Sequence, residues 1–223
     1  MNRFLIYLLI IFTYLGISKS FYPNKQVTIS VPSKYAISNI FKNSPLSIIL
    51  IDMDEVGLIM KTYLMKYLLI SGYQEPITVT IKTNKKFWEE SKKYIGMSIF
   101  RRTEKTGENS TTPMPPGFHF IGDSSYGQWK INRKTGRKEW FFYRSFSKFK
   151  KHFHYGSYRP THAMIKQARK SLKKDIPYFG INQEFGLNGS LTRENLSTKI
   201  FNKKNNKVNY KKHFSRFLDF SAF

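Results

Sequence analysis

Residues 126–144 read YGQWKINRKTGRKEWFFYR, and this stretch decides the fold class. Two strand-like segments, 126–133 and 137–144, meet at a Lys-Thr-Gly sequence that is typical of a short hairpin connection. The stretch therefore predicts an antiparallel β-hairpin. Helical patterns lie on both sides of it, so we predict an α+β fold.

The elements around the hairpin follow from periodicity and capping residues. Residues 56–70 are apolar almost throughout, which predicts a central buried helix, and the acidic residues at 52–55 suit the start of that helix. Alternation at 77–83 predicts a strand. Basic residues dominate 145–153 and the segment after Thr161, which predicts peripheral basic helices, the second of them capped by Thr161.

The N-terminus is typical of a secretory signal peptide. It has a positive residue at Arg3, an apolar core and the small-residue site Ser18-x-Ser20. We expect cleavage near Ser20 and a periplasmic or secreted location. A retained anchor is the alternative, but the apolar core is shorter than the roughly 20 residues of a spanning helix.

The rest of the chain, 21–223, is predicted to form a single exported cationic α+β domain without a further membrane span. A loop at 101–116, rich in Gly, Ser, Thr and Pro, is an alternative domain boundary; we favour a surface loop within one domain. Residues 208–223 predict a final amphipathic helix. The chain has no cysteine, which excludes disulfides, cysteine nucleophiles and thiolate metal sites.

The positive charge is concentrated in one part of the chain. Fifteen Lys or Arg residues, but only one acid, Glu139, lie between 130 and 174, and nine aromatic residues are interleaved with them. This combination is typical of a surface that binds an extended anionic polymer. In the alternative interpretation the aromatics fill the core and the lysines form an ordinary solvated face. The predicted binding residues are Trp129, Arg144, Lys148, Lys151, Tyr155, Arg159 and Arg169.

Two carboxylates are candidates for chemistry because acids are scarce. Glu184 lies in a loop bracketed by glycines and beside amide side chains, where a carboxylate can act as a general acid or base. Asp123 lies in a Gly-Asp-Ser-Ser sequence and could supply the second carboxylate of a glycoside hydrolase. The structural alternatives are an ion pair that fixes the Glu184 loop and a turn in which Asp123 bonds its own backbone.

We expect neither a metal nor an organic cofactor. His152 and His154 would point to one side of an extended segment and could bind zinc with Asp123 or Glu184, but the surrounding cations oppose a metal ion. The chain contains no HExxH, P-loop, GxGxxG or GxSxG motif.

The sequence therefore predicts an exported cationic protein that acts on or binds an anionic cell-envelope polymer, with peptidoglycan or another glycan favoured. The leading hypothesis is a peptidoglycan hydrolase that uses Glu184 and Asp123. The alternative is a non-enzymatic module that binds cell wall, anionic lipid or nucleic acid, and a secreted nuclease is a third.

Overall fold

The computed structural model describes residues 3–21, 29–30, 33, 36–37, 40–41, 44–57, 61–72, 74–104 and 107–196. The predicted helix at 208–223 lies outside these residues. The described helices are α1 (Arg3–Phe21), α2 (Lys85–Ser91), α3 (Phe149–His152), α4 (His162–Lys173) and α5 (Ser190–Asn195). The strands are β1 (Ile29–Ser30), β2 (Leu46–Val56), β3 (Thr62–Ser71), β4 (Ile77–Thr83), β5 (Ser98–Arg102), β6 (Asn109–Ser110), β7 (Gly127–Ile131) and β8 (Lys138–Phe142). This mixture of helices and antiparallel sheets is an α+β fold, as predicted.

A six-stranded sheet with the order β1-β4-β3-β2-β5-β6 forms one part of the fold. Strands β2, β3 and β4 make an antiparallel meander, β5 pairs antiparallel with β2, and β1 pairs parallel with β4. Alternate side chains of β2 enter two different cores: Ile48 and Leu50 face one, and Ile49 faces the other. Apolar residues therefore cover both faces of the central strands.

The prediction of a central apolar helix at 56–70 is wrong, because 62–71 forms strand β3. Met65 and Tyr67 belong to one core and Ile70 to the other, and all three are fully buried. A strand that is buried on both faces reads as a continuous apolar run, which periodicity alone cannot distinguish from a buried helix. The β-sheet pairing on both edges of β3 fixes the choice.

The acids at 52–55 do not start a helix either, since they lie in the second half of β2. Asp52 is opposite Lys66 of β3 in the antiparallel register. The Glu55 carboxylate lies 2.6 Å from the ammonium group of Lys61. The charge of Glu55 is thus compensated by an ion pair rather than by a helix dipole.

The hairpin is confirmed: β7 and β8 pair antiparallel, with Trp129 opposite Trp140. Their rings meet edge-to-face with centroids 5.1 Å apart. In the connection, the Gly136 amide donates to the carbonyl oxygen of Asn132 at 2.8 Å. Glu139, the one acidic residue between 130 and 174, is buried and accepts a 2.9 Å hydrogen bond from the Asn132 side chain.

The predicted Thr161 cap and the basic helices α3 and α4 are confirmed, and Asn84 also caps a helix. The Asn84 side chain accepts a 2.7 Å hydrogen bond from the Phe87 amide at the N-terminus of α2. The Thr161 side chain accepts a hydrogen bond from the Met164 amide at the N-terminus of α4. Helix α4 buries Met164, Ile165 and Ala168 and exposes its basic residues.

The Pro-rich end of the 101–116 stretch is buried, and so is every residue from 112 to 117. Met114 and Ser98 exchange backbone hydrogen bonds of 3.0 and 2.9 Å, which attach this segment to β5. The Met114 side chain is fully buried in the core that contains Phe120 and Phe153. This end of the stretch therefore contributes to the core.

Helix α1 differs from the rest, because its apolar side chains from Phe4 to Tyr14 are exposed and none belongs to either core. Within the described part of the chain, no helix is both long enough and apolar enough to cross a membrane.

Candidate binding site

A basic cleft of about 290 Å³ lies between the exposed side of α4 and the first strand of the hairpin. We call it the α4 cleft. Its lining residues are Gly122, Trp129, His162, Ile165, Lys166, Arg169, Lys170 and Lys173. Helical spacing explains the four cations, since positions i, i+3, i+4 and i+7 share one face. The lining contains four cations and no acid.

Trp129 forms the aromatic side of the α4 cleft. Its ring lies edge-to-face against the ring of His162, with centroids 5.3 Å apart, and against Trp140 on the other side. Arg169 packs against Gly122, where an added Cβ would come within 2.9 Å of its guanidinium group. The structure therefore brings together two of the predicted binding residues, Trp129 and Arg169.

A second, smaller cavity of about 190 Å³ lies between β8 and the segment that leads into α4. We call it the Arg159 cavity. Its lining residues are Trp140, Phe141, Phe142, Ser147, Lys150, Tyr155, Tyr158, Arg159 and Pro160. The guanidinium carbon of Arg159 lies 4.3 Å from the centroid of the Phe141 ring, and the Lys130 ammonium lies 5.7 Å from the same centroid. Both are cation–π contacts.

The other predicted binding residues have different surroundings. Arg144, Lys148 and Lys151 are exposed on the segment around α3. Lys148 forms an exposed 3.1 Å ion pair with Glu75, which is a weak interaction in water. Tyr155 is 1% exposed and donates its hydroxyl to the carbonyl oxygen of Pro116, so its ring is part of the core.

Glu184 is a buried carboxylate in a tightly bonded loop. Its two carboxylate oxygens accept hydrogen bonds from the Asn182 amide at 2.9 Å and from the Asn182 side chain at 3.2 Å. The backbone carbonyl oxygen of Glu184 accepts a hydrogen bond from the Leu191 amide in the first turn of α5. Burial, with a contribution from the Glu184 charge, raises the pKa of Tyr158 and raises that of Tyr178 to about 12. The two tyrosine hydroxyls donate to other groups, that of Tyr158 to the sulfur of Met164 and that of Tyr178 to the side chain of Gln167.

Asp123 has a different environment. Its carboxylate accepts the Ser125 amide at 2.9 Å, which is the hydrogen bond of an Asx turn. Burial and the Arg101 charge lower the pKa of His119, whereas the negative charge of Asp123 acts to raise it. Asp123 therefore lies within electrostatic reach of the His119 ring. The structural contacts of Asp123 and those of Glu184 thus involve different residues.

A further cleft of about 520 Å³ borders the Glu184 loop. Residues 185–189 and Gln183 line it together with Glu89 and Glu90 of α2, whereas Glu184 does not. The sequence did not indicate the two α2 acids, because acids on a polar helix are ordinary solvated residues.

The other residues of the α4 cleft and of the Arg159 cavity could be recognised from the sequence only in part. The spacing of Lys166, Lys170 and Lys173 predicted a basic helix face but not the aromatic side of the cleft. Trp140 is buried and belongs to the core, but it also lines the Arg159 cavity.

Among the described residues, no group of three or more His, Cys, Asp or Glu side chains is arranged to hold a metal ion. No protein-family model matches the chain, and no curated protein or solved structure is significantly similar to it.

Proposed function

We propose that this protein is exported to the periplasm or the exterior and binds an anionic cell-envelope polymer, with peptidoglycan or another glycan favoured. The observation that carries the proposal is the α4 cleft, in which four cations and Trp129 line one surface without an acid. Charge attracts the backbone of a polyanion, and a flat ring stacks on sugars or bases. The exposed apolar side chains of α1 support a signal peptide at 1–20, with cleavage near Ser20.

Replacing Lys166, Arg169 and Lys170 together by Gln is expected to abolish retention on immobilised cell-wall polymer at moderate salt. All three side chains are exposed, so the change removes charge without disturbing the core. In the wild type, retention should fall steeply as salt increases, because binding releases counterions. Elution from a polymer column across a salt gradient measures both effects.

The matched control replaces Lys82, Lys85 and Lys86 by Gln. These cations are also exposed, and the loss of net charge is the same, but they lie on β4 and α2. This variant should elute close to the wild type. Equal losses in both variants, or retention that hardly changes with salt, would contradict a binding site at α4. Retention on DNA but not on wall polymer would favour nucleic acid as the partner.

The second candidate function is hydrolysis of the same polymer, with Glu184 as proton donor and Asp123 as second carboxylate. The observation that favours it is the burial of Glu184, whose carboxylate is held in one position by two hydrogen bonds from Asn182. A general acid must be held in a defined geometry to transfer its proton.

Glu184→Gln is expected to abolish release of soluble fragments from cell walls and to leave wall binding unchanged, because the amide keeps the shape and loses the proton. Product analysis after incubation with purified walls measures the first effect. Glu194→Gln, at an exposed acid of α5, is the control and should be active. Undiminished fragment release by Glu184→Gln rules out this role, and no release by the wild type rules out the hydrolase.

A further inference from the structure

The side chains of Trp140, Lys150 and Arg159 line the Arg159 cavity and have no hydrogen-bond partner among the described residues. The indole N–H of Trp140 is buried and makes no hydrogen bond. The side chains of Lys150 and Arg159 form no hydrogen bond or ion pair with any described residue, although both line the cavity. Of the three, the Trp140 N–H is the buried donor, and buried donors are almost always paired with an acceptor, so its lack of a partner points to a missing ligand.

The electrostatics of the cavity point to an anion. Burial and the nearby charge of Arg159 both lower the pKa of Lys150, which means that the two cations repel each other. No acidic residue lines the cavity to offset them. Aromatic rings form much of the remaining wall, including Phe141 and Phe142. An anion between Lys150 and Arg159 would offset the repulsion between the two cations and would accept hydrogen bonds from the unpartnered donors.

We propose that the Arg159 cavity is a phosphate-binding site, which takes a phosphate group carried by the envelope polymer. This inference rests on the proposed function and specifies the chemical class of its ligand. A tetrahedral phosphate offers several acceptor oxygens, which suits a planar guanidinium, an ammonium and an indole N–H carried by three residues that line one cavity. The volume of about 190 Å³ is small for a nucleobase with its sugar but sufficient for a phosphate group.

The indole N–H of Trp140 gives a direct test on the full-length protein. The chain has three tryptophans, so Trp88→Phe and Trp129→Phe identify the Trp140 indole signal in a ¹H–¹⁵N NMR spectrum. Addition of inorganic phosphate at constant ionic strength should shift this signal with saturation, because the N–H acquires an acceptor. Arg159→Gln should weaken the phosphate affinity about tenfold or more, since it removes a charge-assisted contact.

Lys138→Gln is the matched control. It removes an exposed cation of β8, the strand that carries Trp140, but Lys138 does not line the cavity. Its phosphate affinity should equal that of the wild type. A Trp140 signal that does not move throughout the titration overturns the inference, as does an equal response to acetate, which would assign a carboxylate site.

The source of the phosphate is distinguished with three polymers: a polyol-phosphate wall polymer, a uronic acid polymer without phosphate, and DNA. Arg159→Gln should reduce affinity for the first about tenfold and leave that for the second almost unchanged. A reduction confined to DNA overturns the envelope assignment. Salt-sensitive wall binding without any phosphate response at Trp140 rejects this site alone, whereas a phosphate response without polymer binding rejects the proposed function.

Discussion

Gly117→Ala is expected to destabilise the protein by about 3–4 kcal/mol, because two separate penalties coincide at this position. Gly117 has a φ of +65°, a conformation that costs an L-residue energy. An added Cβ would also lie 2.1 Å from the nearest carbon of the Phe153 ring. Phe153 is 1% exposed and packs against Phe120 and Phe149, so its ring has no free space to move into. Urea denaturation measures the change.

Gly136→Ala separates the two penalties. Gly136 has almost the same φ, +67°, but nothing lies within 4 Å of its added Cβ. This control should cost only the backbone term of about 1–2 kcal/mol. Combining Gly117→Ala with Phe153→Leu should recover about 1 kcal/mol or more relative to additivity, because the smaller side chain removes the clash. Equal destabilisation by the two glycine variants would contradict the close packing of Phe153 on Gly117.

Acid is expected to destabilise the protein through His119. Both ring nitrogens are buried without a hydrogen-bond partner, and burial together with the Arg101 charge lowers the pKa of His119 to about 3. An unfolded histidine has a pKa near 6.5, so between these two values the unfolded chain binds a proton that the folded chain does not. The contribution is therefore fully present above pH 6.5 and is lost progressively as the pH falls towards 3.

His119→Leu should remove this sensitivity. Between pH 7.5 and 4.5 the wild type should lose about 2–3 kcal/mol more free energy of unfolding than the variant, from roughly 1.4 kcal/mol for each pH unit below 6.5. Other titrating groups are common to both proteins and cancel in the difference. Urea denaturation at a series of pH values provides the measurement. Parallel stability curves for the two proteins would show that His119 titrates normally in the folded state.

Local features of the sequence were sufficient to predict the elements that local chemistry determines. The hairpin followed from strand-like segments around a Lys-Thr-Gly connection, and α4 followed from the Thr161 cap and its buried stripe. Strand β3 could not be predicted in the same way, because its apolar run is compatible with either a helix or a strand. Only its long-range pairing with β2 and β4 decides between them.

The candidate site shows the same limit. The excess of cations at 130–174 was visible in the sequence, but its division into two compartments depends on contacts between distant residues. The approach of Arg159 to Phe141 places one cation in the cavity, whereas the four cations of α4 face Trp129. Pairing of β7 with β8 determines which aromatic ring belongs to each compartment.

The edge-to-face contact between Trp129 and Trp140 makes the two compartments neighbours, since one ring lines the α4 cleft and the other lines the Arg159 cavity. Under the proposed function, a long polymer that occupied one of them would raise the effective concentration of its next segment at the other. Its avidity would then exceed the affinity of either compartment, whereas a short fragment would gain nothing. Two modest subsites separated by one pair of rings would thus distinguish an intact polymer from its breakdown products by length.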